Sequence, residues 1–470
     1  MSEIDEIIKE NDSDYEDSAS VKSSDSEDSE TFLTDEQYEE IEQNIQSFIF
    51  DLLLIKEEIL RFRKPDYLKD FISEISHTIF DGLVLSEICK ETDDDIFDMV
   101  IELTESIFEN CLDIHQIPER SEVSTIYLKK DNKQFPYIHE RLNHLRNIPQ
   151  PVQRTKEWYE FRHSLMTASN LYKVFGSESN INSIIYEKCK PFTVYDDRSG
   201  GYTNTSSPMH WGTKYEALTV SFYEFKNNTM IEEFGCIPHS RYQCIGASPD
   251  GINADPSSPL YGRMLEIKNI VNREIDGIPS EAYWTQMQIQ METCDLDECD
   301  FVETRFKEYV SEEDFWLDTT KGSCEKGIVL YFIRRDCTPV PPKYIFSPLN
   351  FILENDTTKK DLLDWIETAK QEVGQEWILF EINYWYLDEY SCVLVKRNKK
   401  WFEAALPHIQ NVWETILKER VEGYEHRAPK KKSVKNVENS VIDITESVDS
   451  EDSKIIKIVQ NSILPIVKLG

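Results

Sequence analysis

The amino-acid sequence predicts an α/β fold with additional helical regions at both ends. Apolar residues recur at helical spacing in residues 37–115, where Ile45, Ile49 and Leu52 are examples. Residues 152–345 instead alternate helical patterns with short apolar runs typical of strands, and residues 358–420 again have a helical pattern. With 470 residues and a hydrophobic fraction of 40%, the chain is long enough for about two or three domains.

Changes in composition divide the chain into six segments. Residues 1–36 are acidic and rich in serine, so we expect a disordered tail that buries too little apolar area to fold. The other segments are a helical N-terminal domain (37–115), a linker (116–151), the central domain (152–345), a helical C-terminal region (346–425) and a flexible tail (426–470). In that tail Lys430–Lys432 form a basic cluster, which is a nuclear-localisation signal, a phosphate contact or a solvated linker.

The negative charge of the chain is concentrated near its N-terminus. A net charge of −37 argues against a nucleic-acid partner, because phosphates attract basic surfaces. Residues 1–100, however, contain 30 Asp and Glu against 8 Lys and Arg, so most of the excess lies outside the central domain. The first residues are unlike a signal peptide, the apolar runs are too short to span a bilayer, and the ten cysteines form no C-x-x-C pair. These features predict an intracellular protein with reduced thiols and no membrane partner.

Two carboxylates and an ammonium lie close together in the stretch GASPDGINADPSSPLYGRMLEIKN, residues 246–269. Residues 243–247 have the pattern of a strand entering a Ser-Pro-Asp-Gly turn that contains Asp250, and residues 263–270 have that of the returning strand of a hairpin. Glu266 and Lys268 are two residues apart and so project from one face, whereas Ile267 points into the core. With Asp250 beside that face, the site suits Mg²⁺ or Mn²⁺, which activate water for phosphodiester hydrolysis. The alternative is a solvated surface ion pair of little energetic value.

Five motifs of the central region occur in the order of a known family. They are W-Y-x-x-R-x-S-x-M-T-A-S from Trp158, G-T-x-x-E from Gly212, A-S-P-D-G at 247–251, L-E-I-K at 265–268 and Y-W-x-Q-M-Q at 283–288. Residues 152–340 thereby resemble the lambda-exonuclease or YqaJ-type viral recombinase nucleases, a branch of the PD-(D/E)XK superfamily. The resemblance implies a restriction-endonuclease-like core, in which a central mixed β-sheet is flanked by helices.

The resemblance also implies roles for the acidic residues and the lysine. Glu216, Asp250 and Glu266 match the metal-binding acids, and the carbonyl of Ile267 matches a further ligand of Mg²⁺ or Mn²⁺, with two ions per site. Lys268 matches the catalytic lysine. For Glu216 the alternative is an exposed acid on a helix face.

Further matching residues would contact DNA. Arg162, Ser169 and Ser248 match the residues that hold the 5′-terminal phosphate, a role that suits a guanidinium and two hydroxyls. Arg162 could instead form a salt bridge with Glu157 or Glu160, Ser169 could be a helix cap and Ser248 a turn residue.

The amides of the following helix match a pair of family glutamines. Gln286 is the favoured catalytic residue and Gln288 is a second candidate for DNA contact, although Gln286 shares its helix face with Gln290 rather than Gln288. Trp158 is a further candidate for stacking on a base. Core packing is the commoner fate of a tryptophan.

These features together predict an Mg²⁺-dependent exodeoxyribonuclease that digests double-stranded DNA ends in the 5′→3′ direction. The resemblance implies a role in viral recombination, repair or genome processing, and an origin in a large DNA virus. A single-strand annealing protein and further copies of the chain are the expected protein partners, in the cytoplasm or nucleus of an infected cell. The alternatives are an endonuclease or an RNA-degrading nuclease of the same fold, and a non-catalytic DNA-binding or scaffold protein.

Overall fold

The structure is a computed structural model, and it describes residues 33–124, 134–153, 155–192, 207–322, 324–336, 340–349 and 359–429. The α-helices are α1 (Asp35–Leu52), α2 (Lys56–Ile59), α3 (Tyr67–Leu85), α4 (Asp94–Ile114), α5 (Gln134–Asn147), α6 (Lys156–His163), α7 (Ala168–Leu171), α8 (Glu178–Cys189), α9 (Pro208–Asn227), α10 (Glu281–Cys294), α11 (Glu312–Leu317), α12 (Lys359–Val373) and α13 (Lys399–Glu422). The strands are β1 (Glu122–Val123), β2 (Met166–Thr167), β3 (Ile231–Glu232), β4 (Ile237–Pro238), β5 (Ile245–Ala247), β6 (Gly251–Asn253), β7 (Met264–Asn269), β8 (Glu298–Glu308), β9 (Lys326–Arg334), β10 (Lys343–Phe346) and β11 (Trp377–Lys396).

An eight-stranded mixed sheet forms the centre of the fold. Its order is β10-β9-β11-β8-β7-β6-β3, and β1 pairs with β11 as well. Strands β7 and β8 run parallel, whereas the other pairs are antiparallel. A smaller sheet has the order β2-β5-β4. The predicted α/β class, with a mixed sheet flanked by helices, is confirmed.

Helices cover both faces of the large sheet. Along β9, Val329 packs in one apolar cluster with residues of α9, and Leu330 packs in another with residues of α12. Successive side chains of a strand point to opposite faces, so α9 and α12 lie on opposite sides of the sheet. The predicted amphipathic helix is α9, in which Tyr215, Leu218 and Phe222 are buried. Helix α9 also carries Glu216, one of the candidate site residues.

The prediction of a wholly helical region at 346–425 is wrong. Helices α12 and α13 are separated by β11, a strand of 20 residues that lies between β9 and β8 in the sheet. The segment is rich in Trp, Tyr, Phe and β-branched residues, which favour extended backbone. The sheet of the central domain is therefore completed by the C-terminal region.

The predicted linker at 116–151 contains β1 and α5, and it is not a simple connection. Helix α5 buries Ile138, Leu142 and Leu145 in a core shared with α1, α3, α4, α10 and α13. The described residues up to Ala428 belong to one compact unit. Helices α1–α4 occupy the segment predicted as a helical N-terminal domain.

Both predicted tails lie largely outside the described residues, and Lys430–Lys432 lie outside them entirely. In the part of the chain that the structure describes, no helix has the length and apolar character needed to cross a membrane.

Candidate active site

The chain brings Asp250, Glu266 and Lys268 together at the start of β6 and along β7. Oδ2 of Asp250 accepts a hydrogen bond of 2.7 Å from the backbone N–H of Ile267. Glu266 and Lys268 project from one face of β7 and form an ion pair, and the side chain of Ile267 is buried on the other face. Glu266 is 0% exposed, so the alternative of a solvated surface pair does not apply.

The hairpin that holds these residues differs from the predicted one. Strand β5 belongs to the small sheet, and β7 pairs instead with β6, where Gly251 faces Leu265. Because the Ser-Pro sequence of the turn interrupts the extended run, the chain changes sheets between β5 and β6. Asp250 lies at that change and thus next to β7.

Two amides of α10 hold the buried carboxylate of Glu266. Nε2 of Gln286 donates to Oε1 of Glu266 over 2.8 Å, and Nε2 of Gln290 donates to Oε2 over 2.7 Å. Gln290 also donates to the carbonyl of Ser248 over 3.3 Å, so it links β7 to the turn that carries Asp250. Helix α10 begins at its N-cap Ser280, whose hydroxyl accepts from the N–H of Tyr283.

The electrostatics of this cluster favour a cation. Burial and the neighbouring Glu266 carboxylate raise the pKa of Asp250 well above its usual value, and Lys268 opposes that shift. Burial lowers the pKa of Lys268, but attraction to Glu266 and Asp250 outweighs it and leaves the pKa above its ordinary value. Two adjacent carboxylates are stabilised as anions by additional positive charge.

Arg162 lies in the cleft beside the carboxylates. Arg162 on α6 donates to Oγ of Ser248 over 3.5 Å, and its guanidinium lies 4.6 Å from the ring centroid of Trp158. The alternative ion pair of Glu160 with Arg162 is not observed, since Glu160 pairs with Lys156. Trp158 therefore supports the arginine through its ring face.

One cleft contains most of the predicted residues. Arg162, Ser169, Ser248, Asp250 and Gln286 line it together, and so do Trp158, Glu216 and Gln290. Glu266 is buried, and it is hydrogen-bonded to two residues of this lining, Gln286 and Gln290. The residues predicted to bind phosphate and those predicted to bind metal therefore lie side by side.

The donor set resembles a magnesium site with few protein ligands. Within the described residues, no group of three or more His, Cys, Asp and Glu side chains is close enough to hold a metal ion. Asp250 and Glu266 are close to each other, whereas Glu216 is exposed at the cleft surface. One or two carboxylates, completed by water and substrate phosphate, are a usual protein contribution to a Mg²⁺ site. The residues present therefore fit a divalent cation.

The prediction of a DNA contact at Gln288 is wrong. Its side chain is 1% exposed, donates to the carbonyl of Lys396 and accepts from the N–H of Asn398. On an ideal helix Gln288 points about 160° away from both Gln286 and Gln290. Gln288 instead joins α10 to the end of β11.

Two residues of the site were missed in the sequence. Gln290 was placed on the helix face of Gln286 but was given no role, whereas the structure shows it bonded to Glu266. Lys188 on α8 is 4% exposed and donates to the main-chain carbonyl of Arg162 over 2.9 Å, which caps the end of α6. No local pattern indicates this contact, because it joins residues 26 positions apart.

Comparison with known proteins supports the motif assignment. Residues 157–297 match the model of the YqaJ-like viral recombinase domain. An uncharacterized protein, R354, of Acanthamoeba polyphaga mimivirus is 30% identical over 328 residues, which cover 62% of this chain and 57% of the relative. The matched part thus spans little more than half of that relative, whose viral source agrees with the predicted origin.

Solved exonuclease structures show limited similarity. The alkaline exonuclease LHK-Exo from Laribacter hongkongensis is 19% identical with a TM-score of 0.31, over 58% of this chain and 95% of that one. A phage-related exonuclease from Haemophilus somnus 129PT is 14% identical with a TM-score of 0.27, over 54% and 96% of the two chains. The match to the model of the YqaJ-like viral recombinase domain spans all of the cleft's central motifs from α6 to α10.

Proposed function

We propose that the protein is a Mg²⁺-dependent deoxyribonuclease that digests double-stranded DNA from 5′-phosphorylated ends. The observation that carries this proposal is the single cleft in which Arg162 and Ser248 adjoin the Asp250–Glu266 pair. The match to the YqaJ-like viral recombinase domain agrees with it.

The carboxylates and the lysine would perform the hydrolytic step. Asp250, Glu266 and the carbonyl of Ile267 would hold the cation, with Glu216 contributing from the cleft surface. A bound divalent cation supplies a water of lowered pKa and positive charge at the scissile phosphate. Lys268 would orient the attacking water and offset the negative charge of the transition state. Gln286 and Gln290 would fix the orientation of Glu266 during the reaction.

Arg162 and the two neighbouring serines would bind the 5′-phosphorylated end of the substrate. A guanidinium binds a terminal phosphate bidentately, and the hydroxyls of Ser169 and Ser248 add donors. Anchoring a 5′-phosphate beside the carboxylates favours removal of nucleotides from that end. The same anchoring would disfavour cutting within a closed strand.

The test compares linear and circular DNA. The purified chain is incubated with a 5′-phosphorylated linear duplex and with a covalently closed circle, in Mg²⁺ and in EDTA. We expect Mg²⁺-dependent loss of the linear duplex, no nicking of the circle, and no cleavage by Glu266→Gln. Glu281→Gln is the matched control, because Glu281 lies on α10 and pairs with Arg63 outside the cleft.

Other results would redirect the proposal. Nicking of the circle at the rate of linear digestion would favour an endonuclease, and selective cleavage of RNA would change the substrate class. Absence of hydrolysis of any nucleic acid in Mg²⁺ or Mn²⁺ would favour a binding protein.

A further inference from the structure

A groove formed by α3, α4 and the turn between them is lined by apolar and acidic side chains. The apolar ones are those of Phe80, Val84, Leu85 and Phe97, and the three rim carboxylates are those of Asp81, Glu91 and Asp94. The rings of Phe80 and Phe97 pack edge to face with centroids 5.0 Å apart. Leu85 is 84% exposed. A contiguous apolar surface bordered by polar residues is typical of an interaction site.

The helical segment formed by α1–α4, called here the helical unit, carries a strongly negative charge. Residues 35–114 contain 22 Asp and Glu against 6 Lys and Arg. Arg61 neutralises carboxylates elsewhere on the unit, where it pairs with Glu58, Asp70 and Glu74.

The rim carboxylates have no such cation. Asp81, Glu91 and Asp94 form no ion pair with any residue in the described part of the chain. The groove therefore keeps its negative potential. Such a surface repels nucleic acid, an anionic membrane and a second copy of the same acidic unit.

We propose that this groove is a docking site for a basic amphipathic helix of a partner protein. The groove residues of α3 run from His77 to Leu85, a length of about 12 Å or two helical turns. Helix-in-groove recognition uses apolar anchors spaced at i, i+3 or i+4 and i+7, which match such a length. Lysine or arginine residues beside the anchors would face the three rim carboxylates. The proposal is independent of the nuclease activity.

The test uses a synthetic leucine–lysine peptide on the full-length chain. Fluorescence anisotropy measures binding of a labelled amphipathic peptide and of a scrambled peptide with the same composition. We expect the amphipathic peptide to bind at least about tenfold more tightly than the scrambled one, since only it presents an apolar stripe.

Two leucine variants separate groove binding from general attraction to acidic protein. Leu85→Lys places a charge among the apolar lining residues of the groove, and Leu54→Lys adds the same charge at a site that is 70% exposed and outside the groove lining. We expect Leu85→Lys to weaken binding by about tenfold or more and Leu54→Lys by no more than about twofold. Both exposed positions tolerate a polar side chain without loss of core packing.

Three outcomes would overturn the proposal. They are equal weakening by the two variants, equal affinity for the amphipathic and scrambled peptides, and no measurable binding of the amphipathic peptide. The first two would show that the peptide binds through charge attraction alone, and the third that it does not bind.

Discussion

Replacement of Gln290 by leucine should slow DNA cleavage by weakening the hold on Glu266. The substitution removes the donor to Oε2 of Glu266 and the contact with the Ser248 carbonyl. Glu266 is 0% exposed, so bulk water does not supply a replacement donor. A hydrogen bond to a charged group contributes about 1.5–3 kcal/mol. If the transition state loses that amount of stabilisation, kcat/KM falls by about 10- to 100-fold.

The matched control is Gln288→Leu. Gln288 lies on the same helix and is equally buried, but its amide bonds Lys396 and Asn398. We expect both variants to lower Tm, and only Gln290→Leu to lower kcat/KM of the folded protein and raise the Mg²⁺ concentration for half-maximal activity. The measurements are thermal unfolding and digestion of a 5′-phosphorylated duplex across a Mg²⁺ series. Equal effects of the two variants on kcat/KM would refute the role assigned to Gln290.

Three further predictions concern other parts of the site and the stability of the fold. Lys268→Met should reduce the rate of digestion of linear duplex by at least about 100-fold, because a preorganised positive group is lost at the phosphate. Circular dichroism checks that the variant is folded, and a folded variant with parental activity would contradict the prediction. We expect the parental protein to prefer 5′-phosphate over 5′-hydroxyl ends by about 10- to 100-fold in kcat/KM, and Arg162→Ala to remove most of this preference. A parental protein without the preference would contradict the assignment of Arg162 to phosphate binding. Burial, together with nearby Arg397 and Arg241, lowers the pKa of His239 to about 4, below the 6.5 of an unperturbed histidine. The unfolded chain then binds the proton more tightly, so His239 should lower the free energy of unfolding by up to about 3 kcal/mol as pH falls from 6.5 towards 4. Urea unfolding should show that the free energy of unfolding of His239→Asn depends less steeply on pH. An unchanged pH dependence would contradict the prediction.

Strand β7 and helix α9 were predictable because they depend on local periodicity. Alternation along β7 places Glu266 and Lys268 on one face and Ile267 on the other, as the structure has them. The helix of Tyr215, Leu218 and Phe222 likewise follows from spacing alone.

Long-range pairing explains most of what the sequence did not reveal. Strand β11 lies between β8 and β9 although it follows both in the chain, and it also pairs with β1 near the start of the predicted linker, so its place depends on distant partners. The apolar face of α5 is likewise explained only by its packing in the shared core. The position of Gln290 on the face of Gln286 follows from a spacing of four residues, but its bond to Glu266 depends on the packing of α10 against β7.

The most direct test of the account is a crystal structure of the chain grown with Mn²⁺. The central claim is that Asp250 and Glu266 jointly hold a divalent cation beside Lys268. The account predicts an anomalous peak that contacts both carboxylates and is lost in Glu266→Gln. A peak elsewhere with none at these carboxylates, or side chains of Asp250 and Glu266 turned away from a common centre, would contradict it.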